Sequence, residues 1–390
     1  MSSPIVELAA LGAKRSRLVV GLISGTSADA IDVAVCRFVG DRPGIELVAY
    51  GEHPHDPQAR RMVIEAAGLG IRALAELNIL VGESFARACL ATLADVGIEP
   101  GEVDYIGSHG QTVYHHSGMP GAKRATFQMG DGDVIAVATG RCVVSDFRAR
   151  DIAAGGEGAP LSPIADAVMF ASTPGEPRRA ILNLGGIANL TILDATRGCI
   201  GGFDLGPANA PLDRLAGPLS DGRLDCDLGG AFARGGVVNQ SLLDSLLAED
   251  AFLARRPPKS TGFEMYGDAF VEQAAARHGG FDSDLMATLV EFVARSVAIG
   301  LAWCGSLDPP VGEVVAAGGG VRNGFLLERI AAAIAPVPLR VSDELGVPAD
   351  AREAMAFALL ADMNIRGQIA PLPAITGARA PKLLGKISFP

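Results

Sequence analysis

With 390 residues the chain exceeds what one typical core fills, and its 49% hydrophobic content, 49 Gly and 24 Pro suit two α/β lobes with many tight loops. A net charge of −11 and a pI near 5.1 exclude a general polyanion-binding surface, so nucleic acid is not an expected partner. A small local phosphate site stays compatible with that acidic whole. The six cysteines are scattered without a C-x-x-C pair, which reads as reduced thiols and gives no zinc spacing. The basic residues Lys14, Arg15 and Arg17 follow the apolar run 5–13 instead of preceding it, the wrong order for a signal peptide. No run reaches the roughly 18 apolar residues of a membrane span, so a cytoplasmic location without membrane association is expected.

In chain order, an apolar run of strand length (residues 18–23) breaks into the small polar string Ser24, Gly25, Thr26, Ser27, and a second apolar run (31–35) returns. This predicts strand, turn, strand. Small residues at such a turn leave backbone N–H groups open to an anion, Thr26 and Ser27 add hydroxyls, and Asp29 and Asp32 offer carboxylates. No Lys follows the glycine and no helix is signalled, so this is neither a Walker loop nor a dinucleotide fingerprint. An ordinary hairpin turn is the competing reading. Residues 45–50 predict a third strand, 58–96 two helices parted near Gly68 and Gly70, and 103–106 a short strand running into a polar loop, 107–112.

The plan then repeats. Residues 180–184 and 188–193 predict a hairpin turned by Gly185 and Gly186, 199–203 a third strand ending on Asp204, and 267–277 and 284–303 long helices. A strand at 313–317 runs into Gly318, Gly319 and Gly320 ahead of a helix at 325–334. A repeat this long implies two similar lobes and not a solenoid, and a cleft between lobes is a favoured ligand site. The lobes are expected at 1–145, with the tail 370–390 packing back on the first, and at 146–369.

The motifs GLISGTSADAID (21–32), IGSHGQT (106–112), SDFRARDIAAGGEGAPL (145–161), NLGGIANLT (183–191), GFDLGPAN (202–209), PKSTG (258–262), AGGGVRN (317–323) and AREAMAFALLA (351–361) occur in this order. Together they resemble the anhydro-N-acetylmuramic acid kinases of the sugar kinase, Hsp70 and actin superfamily. The resemblance implies two ribonuclease-H-like lobes with a nucleotide cleft between them, ATP and Mg2+ as cofactors, and a homodimer. It implies a reaction in which water opens a 1,6-anhydro sugar bridge while O6 accepts the γ-phosphoryl group. The chain departs from the family pattern at Ala28, Ala30, Leu205 and Phe263. A kinase for another anhydrosugar such as levoglucosan, or a non-catalytic ATP-dependent regulatory clamp, are the alternatives.

The residues divide by role. Asp204 is read either as a turn or capping carboxylate or as the base that activates water, and the resemblance favours the base. ATP is assigned to Gly25, Thr26, Ser27, Ala28, Asp29, Ala30, Ile31 and Asp32, with Gly185, Gly186, Gly318, Gly319, Gly320 and Asn323. Asp29 and Glu353 are the metal candidates, since magnesium at phosphates borrows one or two carboxylates; a solvated helix-start Glu is the competing reading of Glu353. His109, Gln111, Thr112, Asp146, Arg148 and Asn209 are assigned to the sugar, with salt-bridged surface as the competing reading of Arg148 and Arg150.

Overall fold

The computed structural model describes residues 4–25, 28–40, 44–116, 123–170, 175–195, 198–257, 259, 261–371 and 373–390. Two compact units divide the chain, Met1–Met169 with Asp350–Pro390, and Phe170–Ala349. The divisions thus fall at 169/170 and 349/350, not at 145/146 and 369/370. The reason is packing: the helix Arg352–Ile365 returns to cover β1 (Ser16–Ser24) and touches the helix Ser162–Met169, keeping both with the first sheet.

The first sheet holds β1, β2 (Ala30–Val39), β3 (Gly44–Pro54), β4 (Tyr105–His116), β5 (Ala125–Met129), β6 (Val143–Ser145) and, from the chain's end, β12 (Lys386–Ser388). Its order is β12-β6-β4-β1-β2-β3, with β5 on β4. β1, β2 and β3 form an antiparallel meander, while β4 runs parallel to β1 and β6 parallel to β4. The second sheet holds β7 (Arg178–Leu184), β8 (Ile187–Asp194), β9 (Gly198–Pro207), β10 (Val311–Ala317) and β11 (Leu339–Val341) in the order β11-β10-β7-β8-β9. The same meander and the same two parallel additions recur there. The duplicated plan seen in sequence is therefore a duplicated α/β sheet topology, that of a ribonuclease-H-like lobe.

β1 reads as an apolar run because both its faces are covered. Val20 and Leu22 join a core with Leu77, Val81 and Phe85 of the helix Ile71–Asp95. On the other face Gly21 meets the helix Arg352–Ile365 so closely that a Cβ there would lie 1.9 Å from the Ala354 carbonyl oxygen. Gly107 on β4 makes the same approach, 2.2 Å from the Phe357 carbonyl. In the second unit the helix Ser283–Ala302 is the spine of the core, packing Leu285, Leu289, Phe292 and Val293 with the inner residues of β7, β8 and β9. Contrary to the reading of apolar runs in sequence, Ile71–Asp95 and Ser283–Ser306 are long and apolar enough to cross a membrane. Their most apolar windows are 56% and 72% buried inside the protein, so their apolar faces serve the cores.

Two expectations change. Residues 107–112 are not a loop; β4 continues to His116, because β1 on one side and β5 on the other take up its backbone groups despite its polar side chains. β9 likewise does not stop at Asp204 but runs on to Pro207, with Asp204 opposite Asn189.

Candidate active site

In the first unit, the β1–β2 hairpin pairs Ile23 with Asp32, and its turn is closed by the Ala28 N–H donating to the Gly25 carbonyl at 3.1 Å. Thr26 and Ser27 lie outside the described residues. Ala28 is fully buried at φ +51°, a left-handed conformation that disfavours a side chain. Ala30 and Ile31 open β2, with Ile31 buried, so Ile31 supports the turn from the core. Asp29 is exposed, and its carboxylate also accepts from the Ala30 N–H at 3.1 Å.

Asp32 is half-buried and accepts a 2.6 Å hydrogen bond from the Tyr50 hydroxyl. Burial pushes its carboxyl up to about 6; the Tyr50 bond opposes this, and the charges of Glu52, Glu353 and Asp29 add to it. Those carboxylates therefore share one field. Such a set of hard oxygen donors suits a magnesium ion that keeps part of its water shell, and both metal candidates, Asp29 and Glu353, belong to it. Among the described residues no three His, Cys, Asp or Glu side chains form a protein cage.

His109 and Arg148 meet directly. Arg148 Nε donates to His109 Nε2 at 3.0 Å, so His109 carries its proton on Nδ1, which donates to the Gly110 carbonyl at 3.0 Å. Burial and the Arg148 charge hold His109 well below its usual pKa, and the ring packs on Phe357 at 4.5 Å. Arg148 Nη1 reaches the Gly158 carbonyl at 2.8 Å, while the Gly158 N–H and the Thr376 hydroxyl both donate to buried Asp151, each at 2.6 Å. Desolvation lowers Arg148 to about 10, offset in part by Glu353 and Asp151. The structure thus joins His109, Arg148 and the Glu353 charge, whereas Arg150 is exposed. Asp146 stands apart, paired with Lys386 of β12. Gln111 is completely buried, and its amide donates to the Gly25 and Thr112 carbonyls at 2.9 and 3.2 Å. Its two amide donors are thus spent on backbone, while its Oε1 is buried with no hydrogen-bond partner among the described residues. Thr112 is half-buried and bonded to Gln128.

In the second unit the two glycine segments lie together. Gly318 has φ +84° and would place a Cβ 2.9 Å from Asn183 Oδ1, and a Cβ on Gly320 would fall 2.6 Å from that of Leu184. Those two glycines are required by packing. Gly319 is not: it is exposed, with Asn209 Nδ2 at 4.0 Å as its nearest neighbour, which leaves backbone open to a flat ligand. The carbonyls of Gly185 and Gly186 accept from Asn209 and Ala208 N–H, each at 2.9 Å, where the helix Asn209–Leu219 begins. Asn209 Nδ2 donates to the Leu184 carbonyl at 3.0 Å, so this residue braces the glycine turns. Asn323 is the N-cap of the helix Gly324–Ile334, its Oδ1 accepting from the Leu326 N–H at 3.0 Å.

Asp204 is half-buried on β9, two residues before Gly206, which pairs with Ala188 beside the Gly185–Gly186 turn. Its Oδ2 accepts from the Thr261 N–H at 2.9 Å, and its own N–H donates to the Lys259 carbonyl at 3.1 Å. Thr261 and Lys259 thus help to orient Asp204; Pro258 and Ser260 of the same motif lie outside the described residues. Lys259 is buried and points elsewhere, to the Phe252 and Leu253 carbonyls. Leu205 is fully buried and packs into the space left by Gly300, so this departure from the family pattern faces the core.

Sequence reasoning missed Tyr50, Arg60 and the buried pair Arg352–Asp166, which join residues far apart in the chain. Arg352 grips Asp166 through two bonds of 2.9 and 2.6 Å immediately before Glu353 and fixes the start of that helix. The family profile described as anhydro-N-acetylmuramic acid kinase matches residues 17–390. A protein of that name from Xanthomonas axonopodis pv. citri is 43% identical over 378 residues, covering 95% of this chain and 98% of its own length. Namesakes from Synechococcus elongatus and Caldanaerobacter subterraneus are 39% and 36% identical, covering 95% and 96% of this chain and 98% of each of their own lengths. The chain is a phosphotransferase with an alcohol acceptor and belongs to the anhydro-N-acetylmuramic acid kinase family.

Proposed function

We propose that the enzyme uses ATP to convert 1,6-anhydro-N-acetylmuramic acid to N-acetylmuramic acid 6-phosphate, a step in the recovery of cell-wall sugar. The observation that carries this reading is Asp204 on β9, whose carboxylate accepts from the Thr261 N–H. Asp204 accepts a proton from water as the water oxygen bonds to C1. The C1–O6 bond breaks, O6 takes the γ-phosphoryl group, and ADP leaves. Attack opposite the bridge inverts C1.

The turn at 25–28 with Asp29 and Asp32, and separately Gly185, Gly186 and Gly319, hold the nucleotide in this reading, while Arg148, oriented by His109, presents its remaining guanidinium N–H groups to the sugar. Magnesium, held by Asp29 and Glu353 through its waters, would offset phosphate charge. Arg148 is suited to a substrate carboxylate because its guanidinium is partly desolvated and already oriented by His109 and Gly158.

An ADP-release assay with this sugar, ATP and magnesium tests the reading. No sugar-dependent ADP from folded protein would sink it. Asp204→Asn keeps the shape and removes the base, so nucleotide binding persists while kcat falls roughly 10²- to 10⁴-fold. Turnover retained in that variant would reject Asp204 as the base.

A further inference from the structure

β9 is an edge strand of the second sheet, so no further strand of that sheet holds the backbone of Asp204 from outside. Lys259 and Thr261 take that place. The Asp204 N–H donates to the Lys259 carbonyl at 3.1 Å, and the Thr261 N–H donates to Asp204 Oδ2 at 2.9 Å. The same short stretch of chain thus fixes both the main chain and the carboxylate of the candidate base. What anchors that stretch is the Lys259 side chain, which is only 5% exposed.

Burying an ammonium is costly unless its donors are met. Lys259 Nζ donates to the Phe252 and Leu253 carbonyls at 3.2 and 3.4 Å and lies 4.4 Å from the centre of the Phe252 ring. The receiving turn is itself braced. Asp250 Oδ1 accepts the Phe252 and Leu253 N–H groups at 2.9 and 3.1 Å, and its Oδ2 accepts the hydroxyl of buried Tyr266 at 2.8 Å. The turn is also seated on β9, since a Cβ on Gly206 would come within 3.1 Å of Leu253 Cδ2. Leu253 and Lys259 therefore meet the same strand, one at Gly206 and the other at Asp204. Burial lowers the Lys259 pKa; the Asp250 charge opposes this, Arg255 adds to it, and the Asp204 charge opposes it as well.

We propose that Lys259 is a positioning residue for the water-activating step: its ammonium ties Lys259 and Thr261 to the Phe252–Leu253 turn, and so aims the Asp204 carboxylate from within electrostatic reach of it. A cation there favours the ionised carboxylate, the form that accepts a proton from water. The role is exerted through Asp204 and needs no contact with sugar or nucleotide. It rests on Asp204 being the base in the kinase reading, and adds to that reading the residue that holds the base. Such anchoring matters because displacing a catalytic group by about 1 Å can cost on the order of 100-fold in rate.

Three substitutions test this. Lys259→Met removes the charge and the donors at similar length, Lys259→Gln removes the charge and keeps a donor, and Lys259→Arg keeps the charge. Each full-length variant is checked for fold by circular dichroism and thermal melting, and its ADP release is followed across pH with 1,6-anhydro-N-acetylmuramic acid, ATP and magnesium. Lys259→Met should lower kcat about tenfold, with the KM values for sugar and ATP moving less than about twofold. In both neutral variants the acidic limb of kcat/KM should move up by about half a pH unit, and Lys259→Arg should leave it where it lies in wild type. A lysine that serves only the fold would lower thermal stability without moving that limb. An unmoved limb in folded neutral variants would overturn the assignment alone, whatever their kcat, and so would failure of both neutral variants to fold. Undiminished turnover in Asp204→Asn would overturn it together with the choice of base, and a wild-type chain without sugar-dependent ADP release would overturn it together with the kinase reading.

Discussion

Asp32 is the residue at which burial and chemistry conflict most openly. Its folded pKa of about 6 lies above the ordinary 3.8, so it favours the folded state fully below about pH 4, and that contribution is lost as pH rises through 6. Going from about pH 7 to pH 5 should therefore stabilise wild type more than Asp32→Asn, by about 1 kcal/mol after discounting for its solvent exposure. Urea titrations of both proteins at the two pH values measure this, and equal pH dependence would contradict it. Removing the Tyr50 hydroxyl, which favours the charged form at 2.6 Å, should widen the difference. Asp32 was legible in the sequence as a carboxylate after a glycine turn, but its partner was not, since Tyr50 lies 18 residues on and across a strand pair. Gln111, Asn209 and Asn323 are polar residues beside glycines, and the structure shows each spending its amide on backbone.

Among the elements, the helix Arg352–Ile365 sets the geometry of the first unit. It lies on the sheet with glycines as the only spacers at two points, Gly21 and Gly107. Its ends are pinned by buried charge: Arg352 to Asp166 at one end, and at the other Asp362, which accepts from Arg17 and from the Tyr105 hydroxyl. The helix start carries Glu353, so this packing places a metal candidate as well as a core. Gly21→Ala would push a methyl into the Ala354 carbonyl and should cost about 3 kcal/mol, read from the urea midpoint. A loss under about 0.5 kcal/mol would show that the helix is free to lift. Sequence periodicity located this helix and could not say which sheet it covers, because an apolar helix face fits any apolar sheet face.

For the whole molecule, the two units differ in how the chain builds them. Phe170–Ala349 is continuous and contains its own sheet, the helix Ser283–Ala302 and a core made wholly of its own residues. The other unit needs Asp350–Pro390, which supplies the covering helix and β12. A fragment of residues 170–349 should therefore unfold cooperatively in urea with native-like circular dichroism. A fragment of residues 1–169 should not, because Gly21 and Gly107 would face water in place of the helix. Cooperative unfolding of the shorter fragment would show that the first sheet stands without its C-terminal cover.

The local features were written into the chain. Hydrophobic period, glycine turns and the order of eight motifs determined the elements, their duplication and the family, because those depend on neighbours within a few residues. What the tertiary structure decided was every pairing between distant segments. It moved the unit boundaries to where helices pack, turned a polar loop into a strand because strands flank it on both sides, and gave the Gln111 amide to the Gly25 carbonyl across a single bulge. Such pairings are set by register and by close backbone approach, and neither leaves a mark in the composition of one segment.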